Sequence, residues 1–407
     1  MHLQLAWRNI WRNPRRTTVI MIAVVIGVWS MIFMGAFDRG MINQMVETGI
    51  TTLTGHIQVH HTGYRNDPAI ENSMAEPEMV ERAFEKHLPP EALWTSRVRV
   101  SAVVSNARHS GGVTMVGIDP AKEARVSFIG GAVTEGNYLK HNDEHGIVVG
   151  KALVDKFETK LGHKLVLMSQ DTGGEIASKA FRIVGIFESE MEATEKQYVF
   201  ITLPSAQHML KLGNAISEFC IVLPDRHQVN ELAGSLANAL PSSNYEVHTW
   251  RELLPLVDAY LSLFDVFIFI WFLVVFIAMG FGIVNTTLMA VFERIREFGL
   301  LKALGMKPWW IVRGVLTESF LLLVMGMAVG NALGLLSVFA LSGTGIDLSN
   351  FAAGAEFAGI SRVIYPAIGT RDVVTANLVV FVLGLLVSVY PATKAARFTP
   401  VEALGHT

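Results

Sequence analysis

The sequence carries a single cysteine, Cys220, so no internal disulfide can form. Charge is sparse: 17% of the 407 residues are charged and the net charge is −3. That balance excludes the broad basic field of a nucleic-acid-binding surface. No Gly-x-x-x-x-Gly-Lys-Ser/Thr run occurs, so any ATP that drives this protein is bound by another chain. A dinucleotide-binding glycine fingerprint, a nucleophile elbow and a catalytic carboxylate pair are also lacking. The paired glycines Gly111-Gly112, Gly130-Gly131 and Gly173-Gly174 read as turns rather than phosphate cradles. His56, His60 and His61 fall on one strand pattern, and His141 and His145 flank a polar loop. With no clear third ligand beside them, they read as ordinary histidines and no metal site is expected. The chain is expected to bind no cofactor of its own and to be no enzyme.

What is abundant is apolar length. Hydrophobic residues make up 51% of the chain, and mean hydropathy is +0.39. Four runs, at 17–37, 265–292, 311–341 and 373–393, are each long enough to cross a bilayer. The first follows a basic segment, as in a signal peptide, but it is long and Gly35-Ala36-Phe37 is a poor cleavage exit, so it reads as a retained span. Residues 38–264 show alternating apolar strands, short helices and turn signals, hence a large mixed α/β domain with room for two subdomains. Strands are expected at 56–60, 113–116, 146–149, 164–168, 182–187, 197–201 and 218–222, and helices at 78–87, 151–159, 205–211 and 228–240. The fold class is therefore an α-helical membrane protein with four transmembrane helices and a large α/β extracytoplasmic domain between helices 1 and 2.

Arginine and lysine orient the set. Arg8, Arg12, Arg15 and Arg16 precede the first span; Arg294, Arg296, Lys302 and Lys307 lie between the second and third; Lys394 and Arg397 follow the fourth. The positive-inside rule puts all three groups in the cytoplasm, with both termini, and puts the large domain and the 342–372 loop on the opposite side. Residues 1–16 form an amphipathic helix in the headgroup layer, with Leu3, Trp7, Ile10 and Trp11 on one face, ended by Asn13-Pro14.

Between the second and third spans lies ERIREFGLLKALG (293–305), followed by a turn to residue 310. As a helix it puts Ile295, Phe298 and Leu301 on one side, with Glu293, Arg294, Arg296, Glu297 and Lys302 around the rest, and Gly305 as the stop. From the residues alone it fits a solvated turn as well as a device that takes a push from a soluble partner. Gly326, Gly330 and Gly334 recur every fourth residue in the third span and admit a close neighbouring helix. Met31, Phe33, Met34 and Phe37 of the first span and Phe264, Phe267, Phe269, Phe272 and Phe276 of the second form a candidate acyl-chain surface in the outer leaflet. The polar exceptions in the spans, Asn285, Thr286, Thr287, Glu318, Ser319 and Asn331, read as helix–helix hydrogen bonding and argue against a polar pore.

Three stretches carry a family resemblance. LAWRNIWRNPRR (5–16), NTTLMAVFERIREFGLLKALGM (285–306) and YPATKAARFTPVEAL (390–404) are similar to the N-terminal elbow, coupling helix and C-terminal signature of FtsX-like/MacB-type ABC transporter permeases. GHIQV (55–59), VGIDP (116–120), GIVVGK (146–151), LGHKL (161–165) and FRIVGIF (181–187) resemble the domain of the lipoprotein-releasing LolC/LolE branch. The 342–372 loop departs from the pattern by its length.

The resemblance implies a MacB-like periplasmic core domain and a bacterial inner-membrane location. It implies work as a pair, with a second copy or a homologous permease, on a cytoplasmic ATPase dimer that binds ATP and Mg. It implies coupling through Glu293, Arg294, Ile295, Arg296, Glu297, Phe298, Leu301 and Lys302, with the apolar side in the ATPase groove. The expected function is mechanotransmission that extracts lipoprotein or another amphiphilic cargo and hands it to a periplasmic carrier or adaptor. A MacB-like drug or peptide efflux permease and an FtsX-like transmitter to a cell-envelope enzyme are the alternatives.

Overall fold

The structure, a computed structural model, describes residues 2–349 and 361–399. The middle of the 342–372 loop and the tail beyond 399 lie outside the described residues, as does the side chain of Leu3. The chain opens with α1 (His2–Arg12) and α2 (Pro14–Gly49). Pro14 has no N–H to continue α1 and its fixed φ suits the start of α2. After Gly49 comes a π-turn over Ile50–Thr54, in which Leu53 takes the left-handed conformation at φ 75°. The chain divides into two compact units, one of residues 44–259 with 349–362, the other of the remainder.

The first unit is built on a ten-stranded sheet: β1 (Ile57–His61), β2 (Leu93–Ser105), β3 (Ser110–Ile118), β4 (Val133–Gly136), β5 (Gly146–Gly150), β6 (Lys164–Gln170), β7 (Ile176–Phe187), β8 (Tyr198–Thr202), β9 (Glu218–Val222) and β10 (Tyr245–Thr249). Its order is β10-β1-β9-β2-β3-β8-β5-β7-β4, with β6 bridging β2 and β7. Only β3–β8 and β5–β7 pair in parallel, and the parallel pairs are the ones that require crossovers rather than hairpins. Helices α3 (Pro77–His87), α4 (Pro120–Val126), α5 (Lys151–Lys156), α6 (Leu203–Met209) and α7 (Val229–Ala239) are interleaved with the strands.

Alternation puts Val98, Val100, Ala102 and Val104 of β2 in one buried core with Met115, Ile147, Leu167, Phe181 and Ile201. A second core gathers Leu53, Val116, Ile118, Phe187 and Phe200. Strands β2, β4 and β10 are absent from the sequence expectations. β2 carries Arg97 and Arg99 within its apolar alternation, and their partners are Glu218 on the neighbouring strand β9 and Glu123 on α4.

The second unit holds α8 (Pro255–Glu293), α9 (Ile295–Ala303), α10 (Pro308–Thr344), the two-stranded β11 (Ile346–Asp347) and β12 (Val363–Ile364), and α11 (Thr370–Arg397). Among the described residues four helices, α2, α8, α10 and α11, are long and apolar enough to cross a membrane. All four continue beyond the apolar runs that announce them: α2 reaches Gly49 and α8 begins at Pro255.

The glycine stripe of α10 lies directly against α2. A Cβ at Gly326 would come 2.8 Å from Val24 Cβ, one at Gly330 2.8 Å from Val28 Cβ, and one at Gly334 3.1 Å from Ile32 Cβ. Two rows with the same four-residue spacing therefore mesh at backbone distance. Between α10 and α11, Asn331 and Asn377 exchange side-chain amide hydrogen bonds of 2.7 and 2.8 Å. Each also donates to the carbonyl four residues earlier, Met327 and Val373, so neither amide is left unsatisfied in an apolar bundle.

Candidate functional site

Helix α9 follows α8 after one break, at Arg294 (φ −111°, ψ 13°). It ends at Gly305, whose φ of 91° suits glycine, with Met306 N–H donating to Leu301 C=O. The side that sequence periodicity offers to a partner is turned inward. Ile295 and Phe298 are 5% and 7% exposed, and Phe298 packs with Val291, Ile311, Val312, Val315, Ala392 and Ala395. Leu301 is half-buried. Lys302 is not a rim charge: its Nζ donates to the carbonyls of Ala396 and Phe398 at 2.9 and 2.7 Å, capping the end of α11. The reason is the hydrophobic effect acting locally: the bundle's own helices are covalently near and cover the largest apolar side chains first.

The outward face is formed instead by Arg296, Leu300, Ala303 and Leu304, spaced one helical turn apart. Leu300 is 55% and Leu304 77% exposed, and Trp309 follows at 65%.

Charges on α9 and at its junction with α8 hold this region to α1, α2 and α10. Arg12 Nη1 donates to Glu297 at 2.6 Å, and Arg16 pairs with Glu293 at 3.3 Å. Arg294 donates to Glu297 at 3.2 Å and to Glu318 of α10 at 2.8 Å; Asn9 donates to the same Glu318 oxygen at 2.7 Å. Partial burial would raise the Glu297 carboxyl, but the hydrogen bonds from Arg12 and Arg294 hold it below the ordinary carboxylate value. Glu318, expected from sequence to make helix–helix hydrogen bonds, thus joins α10 to α1 and to the α8–α9 junction. In α1 the buried face is Ala6 and Ile10, whereas Trp7 and Trp11 are 47% and 56% exposed and meet edge to face at 5.9 Å. This corrects the expectation that Ile10 and both tryptophans share one face.

The candidate acyl-chain surface is also redistributed. Met31 is 1% exposed and belongs to the helix-bundle core. Phe33 stacks on Trp29, and Phe33, Met34 and Phe37 are not in the lining of the cavity that Phe264 joins. Phe267 is 57% exposed and turned away from its neighbours. Phe264 does line a cavity, of about 320 Å³, with Ile268, Phe269, Phe272 and Phe276 of α8 and Val379 and Leu383 of α11. Its rim carries Arg39, Asp265, Arg371 and Asp372. Arg39 grips Asp372 with two bonds, Nε to Oδ2 at 2.6 Å and Nη2 to Oδ1 at 2.8 Å.

Within the sheet unit lies a buried ion cluster that sequence reasoning missed. Arg97 is fully buried and donates to both oxygens of Glu123, at 3.0 and 2.8 Å, and to Glu218 at 3.1 Å. Its Nη1 also bonds the carbonyl of Leu53, which accepts from Gln58 Nε2 at 3.1 Å as well. The left-handed turn at the end of α2 is therefore tied into the sheet. Burial would push Glu218 up, but His60 at 3.7 Å and the guanidiniums of Arg99 and Arg97 hold it at about 2. Burial pushes the Cys220 thiol up to about 12, so it is a neutral core residue. Among the described residues no group of three metal-ligating side chains forms.

Comparison with known proteins bears on these features. Residues 17–239 match the model of the MacB-like periplasmic core domain, and residues 260–400 that of the FtsX-like permease C-terminal region. The lipoprotein-releasing system transmembrane protein LolE of Haemophilus influenzae is 24% identical over 76% of this chain and 76% of its own length. The pyoverdine export ATP-binding/permease protein PvdT of Pseudomonas syringae pv. tomato is 25% identical over 99% of this chain. The macrolide export ATP-binding/permease protein MacB of Rhodospirillum rubrum is 24% identical over the same share. The chain spans only 59% and 60% of those two proteins.

Proposed function

The chain belongs to the ABC transporter permeases of the FtsX/MacB type, LolE-like relatives among them, and from that premise we propose that it converts the stroke of a separate ATPase into work on an amphiphilic cargo. The ATPase dimer binds ATP and Mg in the cytoplasm, and two permease chains, identical or homologous, complete the transporter in the bacterial inner membrane. Both termini and α9 face the cytoplasm; the sheet unit faces the periplasm, where a carrier or adaptor receives the cargo. The observation that carries this reading is α9 itself. Its outward face offers Leu300 and Leu304 to a groove, with Arg296 beside them. Glu297 and Arg294 are tied to Arg12 and Glu318, Glu293 at the end of α8 to Arg16, and Lys302 to the end of α11. A push on α9 is thus shared by α1 and α10 as well as by α8. Coupling rests on packing more than on single rim charges, since an exposed pair contributes only ~0–1 kcal/mol.

Lipoprotein is the preferred cargo, supported by the likeness to LolE and by spans whose polar groups pair with one another instead of lining a pore. Release of a labelled lipoprotein from vesicles holding the permease and its ATPase tests this reading. ATP hydrolysis without any release sinks the lipoprotein cargo. Efflux is the second reading, favoured by the two export proteins that align with 99% of the chain. Export of a small amphiphile by the same vesicles, without lipoprotein release, would select it.

A further inference from the structure

The cavity between α8 and α11 has a gradient of polarity along its length. Asp265 and Phe276 lie eleven positions apart on α8, and Arg371 and Leu383 twelve apart on α11, so the crevice runs ~16–18 Å along both helices at 1.5 Å per residue. Half the hydrocarbon core of a bilayer is about 15 Å. The apolar part therefore matches one leaflet, and the charged rim falls where a headgroup lies. The rim holds two cations and two anions. Arg39 and Asp372 satisfy each other. Asp265 lies within electrostatic reach of Arg39, but neither Asp265 nor Arg371 has a hydrogen-bond or ion-pair side-chain partner among the described residues.

We propose that this crevice binds one phospholipid with a zwitterionic, ammonium-bearing head, the acyl chain lying along Phe272, Phe276 and Leu383. Arg371 takes the phosphate, helped by the positive end of α11, which begins at Thr370. Asp265 takes the ammonium. The balanced rim selects against a net-anionic head, whose phosphate would meet Asp265 with no cation of its own. An apolar helix of a second copy would cover the phenylalanines but leave both rim charges unpaired, so a lipid is the better complement. A volume of about 320 Å³ is at the small end of ligand cavities and suits one chain rather than two.

The binding does not depend on the transport reading and is tested on the full chain without ATPase or ATP. Vesicles of equal phosphatidylethanolamine and phosphatidylglycerol supply the probe, and the lipid retained after detergent extraction is counted by native mass spectrometry. One phosphatidylethanolamine per chain is expected, enriched about tenfold over phosphatidylglycerol, the effect of one charge-assisted hydrogen bond. Asp265→Asn should remove the headgroup preference, and Arg371→Gln should weaken retention of both lipids. Val379→Trp, which fills the crevice, should abolish retention, whereas Leu378→Trp on the exposed side of α11 (60% exposed) should leave it unchanged. Equal retention of the two lipids by the native chain overturns the proposal. So does full retention by Val379→Trp, and so does a change of oligomeric mass in Val379→Trp with retention intact, which would assign the crevice to a second copy.

Discussion

Replacing Arg97 with methionine should destabilise the sheet unit by about 3–5 kcal/mol, the effect of breaking a buried ion pair from one side. The magnitude follows from what is left behind. Glu123 and Glu218 are 0% and 1% exposed. Without Arg97, Glu123 loses both of its guanidinium hydrogen bonds. Glu218 keeps His60 and Arg99, each 3.7 Å away. The Leu53 carbonyl keeps only Gln58. Pulse proteolysis of the full chain across a urea series reads the loss as a shift of midpoint. Removing the Arg97–Glu123 pair together, as Arg97→Met with Glu123→Leu, should recover most of that loss, because Glu218 keeps Arg99 and His60 beside it and no buried charge is left unpaired. A single Arg97→Met variant within 1 kcal/mol of the native chain would refute the cluster. The same cluster sets a pH dependence. Glu218 has its folded value depressed to about 2, so its contribution is present above the ordinary carboxylate range and is lost as pH falls toward 2. Stability should therefore hold at pH 6 and decline below about pH 4.5.

Other expectations concern the membrane unit. Leu304→Asp should abolish co-purification of the ATPase from a folded chain, whereas Phe298→Asp should lower the yield of folded permease itself; intact co-purification with Leu304→Asp would remove α9's outward face from the docking role. Asn331→Leu leaves the Asn377 amide without its cross-helix partner and should lose ~1–3 kcal/mol in detergent unfolding, two hydrogen bonds at ~0.6–1.7 each. The double variant with Asn377→Leu should recover most of it. Gly330→Ala places a methyl 2.8 Å from Val28 Cβ and 3.0 Å from the Val25 carbonyl, and should lower the melting temperature. Gly314→Ala, with nothing within 4 Å, should leave it unchanged or raise it.

Several features were readable without coordinates because their cause is local. A span is a run of some twenty apolar residues, and nothing distant is needed to recognise one. The stripe Gly326, Gly330, Gly334 is likewise a spacing, although the matching row Val24, Val28, Ile32 is visible only once α2 and α10 are side by side. The coupling helix shows the limit. Its 3.6-residue period correctly separates Ile295 and Phe298 from Arg296, but a period has no inside or outside. The apolar side was assigned to a partner, and the permease's own bundle occupies it.

Charged residues were the hardest to read. Arg97, Glu123 and Glu218 lie 26 and 121 positions apart, so their pairing left no local trace. Arg39 and Asp372 are separated by 333 positions, so nothing local joins them. Glu318 was legible as a hydrogen-bonding residue between helices, but not its partners, Arg294 and Asn9.

By itself the sequence determined the layout: four apolar helices, a large α/β domain between the first and second, a charged helix between the second and third, and the family. These rest on hydropathy, on alternation and on contiguous motifs, all properties of neighbours along the chain. Only the tertiary structure decided which face of α9 remains outside, which phenylalanines line a crevice, and which buried cations have anions. Each of those depends on groups brought together across tens or hundreds of residues, and burial, once shared among helices, is no longer a property of any one of them.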